Sequence, residues 1–280
     1  MAIDPPDPKL VANDVARALA EDLGGGDATA SLLPAARAAR AIVVAKEGAT
    51  LAGTAWFDAC FRALDPDTRI EWRARDGDAV APGTELCAIE GRARALVSAE
   101  RSALNFLQTL SATATTTAAY VRAVSGTAAT ILDTRKTIPG LRLAQKYAVR
   151  CGGGRNHRIG LYDAVLIKEN HIAAAGSIAE AIARARAAAP GLFLEIEVES
   201  LEELEQALAA RPDRILLDDF TLADMSKAVE RARGRCPLEV SGGVSLETIG
   251  AIARTGVDYI SIGALTKHVR AIDLSMRVVG

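Results

Sequence analysis

Between Arg135 and Lys168 the chain places eight cations, Arg135, Lys136, Arg142, Lys146, Arg150, Arg155, Arg158 and Lys168, against one acid, Asp163. His157 sits among them. The stretch carries +7 in a chain whose formal net charge is −2. Arginine forks bind carboxylates bidentately and lysines supply point charges, so this grouping suits a small, multiply charged anion. A solvated basic face is the plainer use of such a run. Against it, Arg135, Lys136 and Lys168 each follow a short apolar run that reads as a strand. RNA would call for aromatic stacking platforms, and the stretch offers only Tyr147 and Tyr162.

Three further groupings bear on chemistry. Ser241-Gly242-Gly243-Val244 ends one apolar run and precedes a helical pattern, so backbone N–H groups there can cradle a phosphate, and Gly263-Ala264 after the next run adds donors. Glu197 and Asp218 end neighbouring runs. Beside a polyphosphate they can hold magnesium; otherwise they pair with the basic residues opposite, and Glu195 and Glu199 share the parity of Glu197. Lys168 at a strand end also fits a Schiff-base lyase, which keeps an aldolase-like reading open. Arg101 is expected in the first turn of a helix capped by Ser98, where the dipole disfavours a cation. Either Glu100 offsets it, or Arg101 is placed to reach an anion.

The elements that must position these residues are set by periodicity. Apolar runs at 129–132, 164–167, 192–198, 214–217, 238–240 and 259–262 suit strands buried on both faces, and helical patterns at 177–189, 201–210, 222–233 and 246–254 separate most of them. Repeated β-then-α units mean parallel strands. Polar residues end nearly every run, as a barrel with its site on that face requires; a doubly wound sheet would gather them at one switch point. The first 110 residues have a different rhythm, with a helix at 10–23, strand-like pieces at 41–46 and 68–73, and a turn-rich connection at 76–83.

Length and composition are those of an ordinary globular α/β chain: 280 residues, 50% hydrophobic, 24% charged. The near-neutral balance gives no reason to expect nucleic acid or an anionic membrane as partner. No run reaches the ~18 apolar residues of a membrane helix, and the N-terminus has no signal-peptide core. Cys60, Cys87, Cys151 and Cys236 form no C-x-x-C pair, so free thiols and a cytoplasmic location are expected.

With these residues in hand, the sequence resembles the quinolinate phosphoribosyltransferases, the carboxylating nicotinate-nucleotide pyrophosphorylases. The resemblance is carried by Glu21-Asp22-Leu23-Gly24, Glu100-Arg101, Leu104-Asn105-Phe106-Leu107 and Asp133-Thr134-Arg135-Lys136-Thr137. It continues through Lys146-Tyr147-Ala148-Val149, Gly152-Gly153-Gly154, His157-Arg158 and Leu166-Ile167-Lys168-Glu169-Asn170-His171. Glu195-Ile196-Glu197-Val198, Leu217-Asp218, Ser241-Gly242-Gly243 and Gly263-Ala264-Leu265-Thr266 complete it. Lys267-His268 departs from the His-then-Ser usual in bacterial members.

The resemblance implies an N-terminal α/β sandwich over 1–111, joined by about 270–280, and an incomplete α/β barrel of six or seven strands over 112–269. It implies phosphoribosyl transfer to quinolinate with decarboxylation, with a paralogous acceptor acid as the near alternative. Arg101, Arg135, His157, Arg158 and Lys168 would hold quinolinate. Lys136, His171, Glu197, Asp218, Ser241, Gly243 and Gly263 would serve phosphoribosyl diphosphate and its Mg2+, with Thr134 and Gly242 as further contacts. Lys136, Lys168, Glu197 and Asp218 would be the catalytic set. A homodimer is implied, with Arg101 reaching the neighbouring subunit's site and any higher assembly left open.

Overall fold

The computed structural model describes residues 3–279. In chain order the elements are α1 (Pro8–Leu23), β1 (Ala38–Ala45), β2 (Ala49–Thr50), α2 (Thr54–Leu64), β3 (Arg69–Trp72), β4 (Ala79–Val80), β5 (Glu85–Arg92) and α3 (Ala93–Ala123). They continue with β6 (Thr130–Leu132), α4 (Arg142–Cys151), β7 (Ala164–Ile167), α5 (Glu169–Ala175), α6 (Ile178–Ala188), β8 (Phe193–Val198), α7 (Leu201–Ala210) and β9 (Arg214–Leu217). The last are α8 (Leu222–Ala232), β10 (Leu238–Val240), α9 (Ile249–Arg254), β11 (Tyr259–Ser261), α10 (Ala264–Lys267) and β12 (Leu274–Val278). Two units divide the chain. One takes the chain up to Ala118, Thr137–Gly153 and the chain from Leu265 on; the other takes Ala119–Lys136 and Gly154–Ala264.

The first unit is built on an antiparallel sheet in the order β12-β1-β5-β3. Every second residue of β1 (Ala41, Val43, Ala45) is buried, the period of a half-covered strand. On α2, Trp56, Phe57, Cys60 and Phe61 are fully buried at helical spacing, and each aromatic contributes roughly 2–3 kcal/mol by leaving water. α1 starts cleanly, because the Asp7 carboxylate accepts the N–H of Lys9 and proline stands at the first helical position.

The helix expected to start at Ser98 starts at Ala93 instead. β5 runs straight into it without a loop: Asp65 accepts the N–H of Arg92 and the Arg37 carbonyl accepts that of Ala93. Ser98 therefore lies inside α3 and donates its hydroxyl to Asp27 at 2.7 Å. Arg101 is exposed in the helix interior, so the first-turn dipole argument does not apply to it.

Asp65 closes that junction. Its carboxylate takes both the Arg92 N–H (2.9 Å) and the Arg92 guanidinium (2.8 Å), and these bonds hold it below the ordinary aspartate value of 3.8. A folded-state pKa below the unfolded one gives stability that is present above pH 3.8 and lost as pH falls through the folded value. Thermal melting should therefore show an acid decline starting below about pH 4. Asp65→Ala should melt several degrees lower at pH 7, for a loss of about 2 kcal/mol, and decline less steeply in acid. An Asp65→Ala melting profile parallel to the parent's would contradict this.

The second unit is a six-stranded parallel sheet in the order β6-β11-β10-β9-β8-β7. The first strand in sequence pairs with the last, so the order is circular and broken only between β6 and β7. That is an α/β barrel lacking full closure, with each strand within a residue or two of its apolar run. A one-residue parallel bridge between Leu132 and Arg155 extends the sheet past the outer edge of β6.

Among the described residues, no helix is long and apolar enough to cross a membrane. The four cysteines are free and buried. Burial pushes Cys60 and Cys151 up to about 12 and Cys236 up to about 11, so these thiols stay protonated and unreactive.

Candidate active site

Most of the residues singled out by sequence lie in the second unit, at or just after the C-terminal ends of the barrel strands. Immediately after β6, Asp133 is fully buried and holds the segment 155–158 in place. Its two carboxylate oxygens accept the side-chain amide of Asn156 (2.7 Å) and the N–H of His157 (2.8 Å). Its own N–H donates to the Arg155 carbonyl, and the Arg155 N–H donates to Ile131. Residues 155–158 are thereby strapped along β6, and Arg158 directly follows the anchored His157.

The two guanidiniums act on each other. Partial burial and the charge of Arg135 lower the Arg158 pKa, with Glu195 and Asp163 opposing more weakly. Arg158 is steadied by donating Nη1 to the Ala164 carbonyl at 3.1 Å. Asp163, the one acid of the basic stretch, accepts the N–H groups of Ile159 and Gly160 and so holds a turn. Two like charges kept close in a partly dry place make a site whose repulsion an anion relieves.

Thr134 and Lys136 follow Asp133; the Thr134 hydroxyl accepts the Lys136 N–H at 3.1 Å. Gly263, after β11, lies against them. A Cβ at that position would come within 2.9 Å of Lys136 Cδ, so any side chain there displaces the lysine.

Lys168 follows β7, and its Nζ lies 2.5 Å from Glu197 Oε2. His171, one turn on, accepts the Lys168 N–H through Nδ1 at 3.0 Å. Glu197 is buried near the end of β8, while Asp218 follows β9 and donates its N–H to Val198 at 3.0 Å. The carboxylate of Asp218 lies against Gly242, 3.1 Å from where a Cβ would stand, and Gly242 has a φ of 88°. The backbone conformation favours glycine there, and a side chain would press on the Asp218 carboxylate. Lys168 is engaged in an ion pair, whereas a Schiff-base nucleophile needs an apolar pocket, so the lyase reading finds no support in this geometry.

The loop Ser241–Val244 is not a helix N-terminus. A turn over 245–248 intervenes, held by the Thr248 hydroxyl accepting the Ser245 N–H, and α9 begins only at Ile249. What the loop can offer an anion is therefore its own backbone N–H groups, with Gly242 and Gly243 exposed.

Glu239 and Arg214 escaped the reading of the sequence. Glu239 in β10 is fully buried, and Arg214 at the start of β9 donates to it at 2.7 Å and lies 4.0 Å from Glu195. The Arg214 guanidinium stacks on the Tyr259 ring at 3.9 Å. Glu195 and Glu239 both face His157, Nε2 lying 2.8 Å from the first and 3.5 Å from the second. Burial and the neighbouring Glu195 push Glu239 up to about 7. His157, Glu195 and Glu239 have the donor types of a metal site, but Arg214 already stands as their counter-cation. The signal for this cluster was the single acid inside the Leu238-Glu239-Val240 run, on the inward parity of its strand.

Comparison with known proteins covers the chain almost end to end. The quinolinate phosphoribosyl transferase N-terminal domain model matches residues 27–111, and the C-terminal domain model matches residues 113–277. A nicotinate-nucleotide pyrophosphorylase (carboxylating) of Mycobacterium leprae (strain TN) is 46% identical over 272 residues, spanning 94% of this chain and 95% of its own. A probable nicotinate-nucleotide pyrophosphorylase (carboxylating) of Bacillus subtilis (strain 168) is 42% identical, spanning 92% and 90%. The solved nicotinate-nucleotide pyrophosphorylase of Francisella tularensis superposes with a TM-score of 0.94 at 45% identity, spanning 100% and 99%.

Proposed function

The chain belongs to the quinolinate phosphoribosyl transferase family, and from that premise we propose that it transfers the phosphoribosyl group of phosphoribosyl diphosphate to quinolinate and releases carbon dioxide. The product is nicotinate mononucleotide, on the route to NAD. The observation that supports this reading is the strap by which buried Asp133 holds residues 155–158 along β6, next to Arg135 and Lys136 in the chain, a cationic corner that suits a rigid dicarboxylate.

Arg135 and Arg158 hold the two carboxylates of quinolinate, with His157 beside Arg158 and Lys168 contributing a point charge. Lys136, His171, Thr134 and the loops at Ser241–Gly243 and Gly263 hold the sugar phosphates. Held in this frame, the pyridine nitrogen is aligned with the anomeric carbon. The carbon–nitrogen bond forms as the bond to diphosphate breaks. The pyridinium then accepts the electron pair left by the departing carbon dioxide, and the ring carbon takes a proton. No side-chain nucleophile is needed; positioning and fixed charge supply the catalysis.

Glu197 and Asp218 stand on neighbouring strands and offer hard carboxylate oxygens, the donor set that suits Mg2+ beside a diphosphate. Magnesium held there supplies charge neutralisation for the leaving diphosphate. The working molecule is a cytoplasmic homodimer in which exposed Arg101 reaches the neighbouring subunit's site. Four free, buried thiols suit the reducing conditions of that compartment.

A coupled assay tests the reaction. Purified protein with quinolinate, phosphoribosyl diphosphate and magnesium should yield nicotinate mononucleotide and carbon dioxide in equal amounts. Chelating the metal should stop both. A folded protein that makes neither product would direct the search to another acceptor acid.

A further inference from the structure

We propose that the Lys168 ammonium and the metal are alternative occupants of the Glu197 carboxylate, so that metal binding at Glu197 and capture of an anion by Lys168 are linked. The proposal rests on the reading of Glu197 as a magnesium ligand and of Lys168 as a quinolinate ligand.

Those two roles conflict with the ion pair that joins the residues. Lys168 Nζ lies 2.5 Å from Glu197 Oε2, a charge-assisted bond that takes up that oxygen. A divalent cation on the same carboxylate would set two positive centres against one group, and they repel. Binding the metal therefore displaces the ammonium, and a displaced ammonium needs another negative partner. A carboxylate of the acceptor acid is such a partner. Each event makes the other easier, and the gain in affinity is the same in both directions.

The two residues differ in their freedom to move. Glu197 lies inside β8, in register with Leu216 of β9, and its side chain is 8% exposed. Lys168 follows β7, and its side chain is 45% exposed. Its backbone is held: the N–H donates to His171 Nδ1, and the carbonyl accepts the N–H groups of His171 and Ile172. What can turn is the flexible four-carbon stem with its ammonium head. The carboxylate is a fixed seat, and the ammonium is its movable occupant.

The charge around the seat explains why a cation is kept there. Glu199, which follows β8, feels the charges of Glu203, Asp218, Glu169 and Glu197. Acids gathered in this way repel one another and repel an anionic substrate. Lys168 offsets part of that charge, and a metal on Glu197 takes over the task when the ammonium turns to an anion.

Manganese accepts the same oxygen donors as magnesium and is visible by electron paramagnetic resonance, so Mn2+ alone is the probe. The protein is the full chain, without phosphoribosyl diphosphate. Lys168→Met keeps much of the stem and removes the charge. It should bind Mn2+ about tenfold more tightly than the parent, within the range usual for linked sites. Glu197→Gln should lose the site, and adding Lys168→Met to it should gain nothing. Saturating quinolinate should tighten Mn2+ binding to the parent by a similar factor and leave Lys168→Met unchanged. Melting gives a second readout: Mn2+ should raise the melting temperature of Lys168→Met by more than it raises that of the parent. Binding to Lys168→Met no tighter than to the parent overturns the proposal. So does a gain that persists in the Glu197→Gln background, because distant charge and not a shared oxygen would then be at work. A parent that turns over no quinolinate defeats the functional reading alone, since the comparison without substrate still decides whether the ammonium competes for Glu197.

Discussion

Arg158→Ala is expected to abolish turnover, by on the order of 1000-fold in kcat/KM for quinolinate, without lowering the melting temperature. The loss reflects the strength of a guanidinium in a partly dry corner. Truncating one partner of a buried, hydrogen-bonded charge pair costs ~2–5 kcal/mol, and every 1.4 kcal/mol is about tenfold. The unchanged stability comes from the same geometry. The Arg158 side chain ties itself to the fold through the Ala164 carbonyl, while burial and the Arg135 charge both work against its ionised form. Removing it relieves that repulsion, so melting should stay level or rise by a degree or two. Arg158→Lys should recover little, since an ammonium lacks the fork that matches a carboxylate. Arg135→Ala should behave alike. Retained activity in either alanine variant would remove that residue from the site.

How much of this was legible in the sequence varies with the physics of each element. The six barrel strands stood out because a strand covered on both faces must be apolar throughout, and the intervening helices restore a 3.6 period. The residues after each run were legible as a candidate site for a related reason: polar groups at one end of buried strands need an explanation that loops elsewhere do not. β5 was not legible. Its residues Leu86 to Ile89 are buried consecutively, without the alternation of a half-covered strand, and it enters α3 with no turn residue between. That missing turn also misplaced Arg101. α4 was hidden because Gln145 and Lys146 are buried, so its composition belongs to the basic stretch while its packing belongs to the first unit. Glu239 and Arg214 were obscured by length. In strands of three and four residues one inward acid or cation looks like a boundary, and only the sheet register places them opposite His157.

Mixing two dead variants should restore activity. Arg101→Ala and Arg158→Ala are each expected to fall by on the order of 100-fold or more, since each removes a cation from a site for a dianion. In a two-fold dimer whose sites are shared, however, the two lesions fall in different places. A heterodimer of one chain of each kind has one site with both arginines missing and one with both present. Co-expressing the variants under different tags, and purifying through both, should give dimers with about half the parent activity. The intact site should show the parent KM for quinolinate, which separates true complementation from a general rise in stability. If instead Arg101 serves its own subunit, every site in the heterodimer lacks one arginine, and the activity stays at the level of the two single variants. Arg101 is suited to the shared arrangement because it is exposed on the interior of α3 rather than at its end. A helix interior holds a side chain at a fixed height and direction, as a residue reaching across a subunit boundary requires.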